Sequence, residues 1–394
     1  IETPLRSPLD GRVDGYLKDG VRLQWVALRP EVRASLEELE IKLGQVARVF
    51  ARSTDDHRWL VTVGDTTEPP TFFLFDRVRH TVTTVLSGDA LNHEAKTPPA
   101  IVNTVTSQDG NAIQIWVHPP DALACNIRYR HCPFIVNLHG GPHHKDGHKY
   151  DRETDWLQHR GYWVLRVNYR GSTGFGAKFA NESDHEWGGR VVDDIRAGLA
   201  WFKTLNGVDP TRGVAMGWSF GGFAATALAV ADPTAVRCVD SVNGGGDLLA
   251  FATLVPIRQP TMAEDIRKEV GDPSISDQQL LITRQSPMAQ LRKSPVQFLI
   301  EYGAKDTVSV PEESSNFVRA LKKLDNPYVA LRYVDQGHSL VTEQSRRVHY
   351  TVLARFLSNC TGTTRMQGPR LRFDHVVVSG TRSLLPVVNG SRLH

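Results

Sequence analysis

The chain has 394 residues, 40% of them hydrophobic, enough for one large domain and part of a second. Its 46 basic and 43 acidic residues leave a net charge of +3, too weak a field to make nucleic acid or an anionic membrane the expected partner. No apolar run approaches the ~20 residues of a membrane span, and the opening IETPLRSPLDGR lacks the apolar core of a signal peptide, although a start at Ile1 rather than Met predicts missing upstream sequence.

In chain order, the first regular element is a helix over Pro30 to Leu43, where Val32, Leu36, Leu39 and Leu43 fall at helical spacing. From Gln45 the pattern turns strand-like: Gln45 to Ala51, Trp59 to Val63, Thr71 to Phe75 and Thr81 to Leu86 are separated by turn residues and predict a four-stranded meander. Asp109-Gly110 between two further apolar runs predicts a hairpin closed by a tight two-residue turn, since that dipeptide tolerates positive φ. After Pro119-Pro120 the pattern changes to alternation. Short apolar strands at 134–138, 163–168, 214–218, 236–242, 296–301 and 329–334 are interleaved with helical stretches at 151–159, 191–203, 223–230, 312–324 and 342–357. Such alternation predicts an α/β fold, a mostly parallel sheet with helices on both faces. The divisions that follow are a β-rich region over 1–118, the α/β unit over 119–360 and an unassigned tail over 361–394. Four cysteines, Cys125, Cys132, Cys238 and Cys360, form no C-x-x-C pair, so the expectation is reduced thiols in a cytoplasmic protein, with Cys125 and Cys132 the one pair placed to bridge.

The stretch that carries chemistry is Gly217-Trp-Ser219-Phe-Gly221, which fits G-x-S-x-G at the end of a strand and the start of a helix. Glycines on either side of such a serine allow the sharp turn that lifts Oγ above the sheet. The same five residues also suit an ordinary glycine-rich junction, so the partners decide. A serine nucleophile needs a base, and the base needs an acid, in the chain order Ser, Asp or Glu, His. Asp306 and His338 each follow a predicted strand in that order, and Asp247, ahead of Asp240 and Asp335, is the substitute acid. The glycine loop at Leu138 to Pro142 suits an oxyanion loop, with the Phe220 N–H as a further donor. His139, His143, His144 and His148 with Asp146 raise a metal reading, but the spacing matches no zinc motif and no metal is expected. Arg170, in the loop Asn168 to Gly176, suits either a substrate carboxylate or carbonyl or a structural ion pair.

The motifs HGGPHH, NYRGSTGFG, the WGG at Trp187 to Gly189 followed by Asp193-Asp194, GWSFGG, GAKDTVSVP and DQGHS together resemble the prolyl oligopeptidase family of serine peptidases, closest to its acylaminoacyl and dipeptidyl peptidases. The resemblance covers about residues 98 to 358. It implies an α/β-hydrolase fold, Ser219, Asp306 and His338 as triad, and Gly141 with Phe220 as oxyanion donors. It also implies that the β-rich start is similar to the last blade of a β-propeller that in relatives screens substrates by size. The expected function is hydrolysis of peptide or acyl-amino-acid bonds through an acyl-enzyme, with an esterase using the same triad and a non-catalytic hydrolase-fold binding protein as alternatives. No cofactor is implied. The expected partners are a peptide or small acyl substrate and a second copy through the N-terminal strands, for which Phe72, Phe73 and Phe75 are the apolar candidates.

Overall fold

The computed structural model describes residues 4–88, 96–125, 131–363 and 375–381, with 383–384, 387–388 and 391–392 of the tail. Strands β1 (Pro4–Arg6), β2 (Val13–Asp19) and β3 (Leu23–Ala27) form a small antiparallel sheet that the sequence did not announce. The reason is visible in β2, which buries Asp14 against Arg29 and Arg52 instead of alternating apolar with polar residues. Helix α1 (Pro30–Leu43) has the expected bounds, with Pro30 at its first position and Gly44 closing it at φ 70°. Its Val32, Leu36 and Leu39 share an apolar cluster with Trp59, Val61 and Phe75 of the predicted meander, β4 (Arg48–Arg52), β5 (Arg58–Val63), β6 (Thr71–Asp76) and β7 (Thr81–Leu86). Phe75 is therefore core, and Phe73 packs against it, while the exposed large apolar side chains of this sheet are Phe50, Leu74, Val85 and Leu86. That corrects the expectation of Phe72, Phe73 and Phe75 as the apolar surface; Phe72 lies edge-on to Phe50.

The hairpin of β8 (Ile101–Thr106) and β9 (Ala112–His118) forms as expected, but its connection spans residues 107–111, and only Gly110 has positive φ, at 90°. Asp109 is held elsewhere, by Arg170. There follow β10 (Cys132–Leu138), α2 (Arg152–Gln158), β11 (Trp163–Asn168), α3 (Ala177–Asn181), α4 (Arg190–Phe202), β12 (Val208–Trp218), α5 (Phe220–Ala231) and β13 (Cys238–Val242). Four helices then intervene, α6 (Leu248–Arg258), α7 (Ala263–Glu269), α8 (Ser276–Gln285) and α9 (Pro287–Gln290), before β14 (Gln297–Gly303), α10 (Pro311–Lys323), β15 (Tyr328–Tyr333), α11 (Glu343–Thr361) and β16 (Val376–Gly380). None of α6 to α9 was expected. The LLAFATLVPIR of α6 is apolar almost all round and carries Pro256 inside, so no 3.6-residue period stands out.

Strands β8 to β16 make one nine-stranded sheet in the order β16-β15-β14-β13-β12-β10-β11-β9-β8. The six strands from β11 to β15 run parallel, with β9 and β8 antiparallel at one edge and β16 antiparallel at the other. Alternate side chains feed two cores: Phe134, Val136 and Ala215 on one face, Ile135, Val214 and Met216 on the other. Because the sheet runs from residue 101 to residue 380, the divisions drawn at 118 and 360 both fall within it. A second correction concerns sulfur. Cys125–Cys132 is a disulfide, and so is Cys238–Cys360, which ties the start of β13 to the last turn of α11. The reduced-thiol expectation failed because residues 122 apart in sequence give no local signal of their approach.

Candidate active site

Ser219 closes β12 and caps α5 at φ 56° and ψ −127°, a left-handed-side conformation that costs a side-chain-bearing residue energy. The surroundings hold it there: its N–H donates to the Val242 carbonyl at 2.8 Å, and the glycines around it allow the helix to close on the strand. A Cβ added to Gly221 would overlap the Leu138 carbonyl oxygen, and one added to Gly217 would run into the backbone of Gly221. The turn therefore depends on hydrogen in place of a side chain at both positions.

The loop after β10 lies over this turn. A Cβ on Gly140 would sit 3.7 Å from the Ser219 Cβ, so the loop backbone approaches the serine directly. Gly141 has φ 128°, reserved for glycine, and joins Pro142 through a cis bond. His139 is buried, its ring stacked on Tyr169 with centroids 4.4 Å apart, its Nδ1 2.8 Å from the Gly140 carbonyl and its Nε2 3.1 Å from Ser172 Oγ. Burial holds this imidazole below its ordinary range, so it braces the loop as a neutral ring.

Asp306 follows β14 and His338 follows β15, so both stand at the same edge of the parallel strands as Ser219. His338 Nδ1 lies 2.8 Å from Asp306 Oδ2. The other oxygen, Oδ1, accepts from the Val308 and Ser309 N–H groups at 2.8 and 3.0 Å, which fixes the buried carboxylate's plane. Asn243, which sequence reasoning passed over, holds this corner together. It sits at φ 50° after β13, accepts from the Gly303 N–H at 2.9 Å and donates to the His338 carbonyl at 2.8 Å. The signal available was an asparagine, tolerant of left-handed backbone, directly before three glycines.

Other candidates go elsewhere. Asp247 caps α6 through the Ala250 N–H at 3.1 Å and accepts from Asn316, so it is a helix cap. Arg170 is not available to a substrate. It is buried, and its donors pair with Asp194 at 2.7 and 2.8 Å and with Asp109 at 2.8 and 3.0 Å. The metal reading has no geometric basis among the described residues, because the histidines disperse: His143 to Glu269 at 3.2 Å, His148 to Asp19 of β2 at 2.6 Å, His139 to Ser172.

Two further features flank the serine. On one side is a cavity of about 280 Å³, walled by Trp187, Phe220, Phe223 and Phe251. The Trp187 ring is edge-on to Phe220 with centroids 4.8 Å apart. Behind the turn lies a buried ionisable cluster. His349 of α11 has its Nδ1 3.0 Å from Glu301 Oε1 and its ring 5.0 Å from that of Trp218, the residue before Ser219. Burial by itself would lower His349, but the Glu301 charge and hydrogen bond outweigh it and lift the imidazole to about 9. Asp240, buried with neither oxygen hydrogen-bonded among the described residues, is pushed well above the usual carboxylate range by burial and by Glu301.

Residues 148–364 match the profile of the prolyl oligopeptidase family. Among curated relatives, dipeptidyl aminopeptidase BIII of Pseudoxanthomonas mexicana is 30% identical over 91% of this chain and 52% of its own length. Dipeptidyl peptidase family member 6 of Caenorhabditis elegans is 26% identical over 80% and 45%. The chain thus spans about half the length of the curated relatives it matches. Among solved structures, an acylaminoacyl peptidase of Pyrococcus horikoshii superposes with a TM-score of 0.69 at 21% identity, covering 80% of this chain and 50% of that one. A puromycin-hydrolyzing peptidase of Mycobacterium tuberculosis does so with 0.73 at 20% identity, covering 90% and 53%. Each of these superpositions reports the same fold, an α/β-hydrolase sheet following a β-rich region. With the family profile covering more than half of its length, the chain belongs to the prolyl oligopeptidase family.

Proposed function

We propose that the chain is a serine peptidase that cleaves peptide or acyl-amino-acid bonds through an acyl-enzyme on Ser219. The observation that carries the reading is the 2.8 Å contact from His338 Nδ1 to a buried, backbone-anchored Asp306, at the sheet edge where Ser219 holds a left-handed turn. With Nδ1–H donating to Asp306, Nε2 is the acceptor and can take the proton of Ser219 Oγ as it attacks the scissile carbonyl. The carbonyl oxygen becomes negative, and the N–H groups of Gly141 and Phe220 stabilise it. The protonated Nε2 then delivers its proton to the leaving amine, and water releases the acyl group by the same steps in reverse roles. The relatives' names, dipeptidyl aminopeptidase and acylamino-acid-releasing enzyme, support peptide or acyl-amino-acid substrates. The two disulfides support an oxidising compartment over a reducing one; among the described residues, no helix is long and apolar enough to cross a membrane.

A fluorophosphonate probe tests the assignment, since it reacts with a serine only when a base and oxyanion donors activate it. One site, Ser219, is expected to label, and labelling is expected to vanish in Ser219→Ala. Equal labelling of that variant would remove Ser219 from the mechanism. Acyl-amino-acid amides, dipeptide amides and short-chain esters, assayed side by side, then separate a peptidase from an esterase.

A further inference from the structure

The cavity beside Ser219 has apolar walls but one residue that does not suit them. Glu313, in the first turn of α10, lines the cavity, is 3% exposed, and its Oε2 has no hydrogen-bond partner among the described residues. It is pressed against the glycine run after β13, where a Cβ on Gly245 would overlap its side chain. A buried carboxyl with an idle oxygen costs stability unless something supplies a partner. Among the described residues no side chain furnishes that partner, and no lysine or arginine lines the cavity. Instead its mouth adds two more acids from α7, exposed Asp265 and half-buried Glu269, of which Glu269 is shared with His143.

We infer that this cavity is a specificity pocket for a substrate side chain ending in a cation, that of lysine or arginine, on the acyl side of the scissile bond, and that Glu313 selects it. The inference rests on the peptidase reading of Ser219. A volume of about 280 Å³ suits one long side chain and falls short of the ~300 to 1,000 Å³ of whole-ligand sites. The methylene stem lies along Trp187, Phe220 and Phe251, whose faces also favour a cation, and the charged head reaches Glu313. A neutral isostere leaves the carboxyl unpaired, and sites built around such a group reject substrates that cannot satisfy it.

The pocket also has a proton balance. Burial, then the nearby charges of Asp247 and Asp306, push Glu313 well above the usual carboxylate range, so the empty pocket holds a neutral acid. An arriving ammonium or guanidinium pairs with the carboxylate, and one proton leaves to solvent. Preference for the cation over a neutral isostere therefore rises with pH. The groups facing this pocket are Asp247, Asp306, Asp265, Glu269, His143 and His144; those that act on both substrates alike, including His338, cancel in the ratio.

The test compares N-blocked aminomethylcoumarin amides of arginine, lysine, norleucine, glutamine and glutamate. Arginine and lysine are expected to exceed norleucine at least ~10-fold in kcat/KM, with a ratio that climbs with pH. In Glu313→Gln the ratio falls by about that factor and its pH dependence flattens. Should the amide not fold, as judged by thermal unfolding, Glu313→Met serves in its place. A ratio unchanged by either variant, or glutamine preferred over lysine, overturns the proposal. So does a Glu313 effect confined to substrates with a free amino terminus, which would make the recognised cation the terminus. Calorimetric binding of agmatine against pentanol to Ser219→Ala protein reads the pocket without turnover. Agmatine binding that is ~10-fold weaker in Ser219→Ala/Glu313→Gln supports the pocket even if Ser219 proves unreactive, and equal binding refutes it even if Ser219 labels.

Discussion

Asp306, the proposed acid of the triad, is the residue where substitution separates chemistry from structure. Asp306→Asn keeps the volume and the backbone contacts but lets His338 settle in the tautomer that cannot accept the serine proton. We expect kcat to fall by as much as ~10⁴, with thermal unfolding little changed. Asp247→Ala is expected to do the opposite, losing a helix cap for about 1 kcal/mol and leaving kcat near its original value. A rate loss in Asp247→Ala and none in Asp306→Asn would exchange their roles. Asn243 belongs to a third kind, a positioning residue. Asn243→Gly retains the backbone at φ 50° but frees the loop that carries His338. We expect ~10²-fold slower turnover, the scale of an ångström's misplacement, with KM steady. A rate equal to that of the parent would leave Asn243 a mere turn residue. The approach of His338 to Asp306, at the sheet edge where Ser219 turns, was legible from one motif and an order of residues. Asn243 was not, because its work is to join three loops that sequence keeps 60 and 95 positions apart. Arg170 was ambiguous for a related reason: the same guanidinium that would hold a substrate carboxylate holds Asp194 and Asp109, and only their approach distinguishes the two.

Elements were read well where one face is buried and the ends carry their own signals. Helix α1 has a proline at its start and a glycine at its end, and α10 likewise begins at Pro311 with Glu312 and Glu313 in its first turn and Lys322 and Lys323 in its last. Helices α6 to α9 show no sustained period: α6 is apolar almost all round, α7 and α9 are seven and four residues long, and the polar α8 buries only Ile282, so the acids and bases at the ends of α7 and α8 had no apolar face to mark. Helix α11 carries a prediction of its own. It seats His349 on Glu301 behind the turn at Ser219, with the folded-state imidazole at about 9 against 6.5 for the free side chain. A raised folded pKa adds stability that is complete below pH 6.5 and is lost as pH rises through about 9. Asp240 has the same sign, because unfolding releases its proton too. Stability should therefore decline between pH 6.5 and 9.5, by on the order of 3 kcal/mol from His349. His349→Gln should flatten that slope even though it lowers stability at neutral pH. A flat profile in the parent protein would show that the imidazole is not charged in the folded state.

Over the whole molecule, six separated motifs were enough to indicate the family, because five of them mark loops at the ends of strands, the WGG run opens α4, and the strands alternate with helices. The sheet's edges were not legible. The hairpin of β8 and β9 read as the end of the β-rich region, and β16 did not read as a strand at all. Both are added antiparallel to a parallel sheet, and local pattern does not say which neighbour a strand will choose. The disulfide from Cys238 to Cys360 was equally hidden, and it gives the chain a covalent connectivity different from its linear order. Ser219 precedes the ring that this bond closes, whereas Asp306 and His338 lie on it. A protease that cuts after the exposed Arg267 or Lys268 of α7 would divide the backbone between Ser219 and His338. The two pieces would nevertheless remain one molecule, held by sulfur as a two-chain enzyme. After limited trypsin digestion we expect undiminished mass on a non-reducing gel, two fragments on a reducing one, and probe-reactive Ser219 in the nicked protein. Fragments that separate without reductant would show the bond is not formed. Where the bond holds, scission in the helical insertion leaves Ser219, Asp306 and His338 in one covalent molecule.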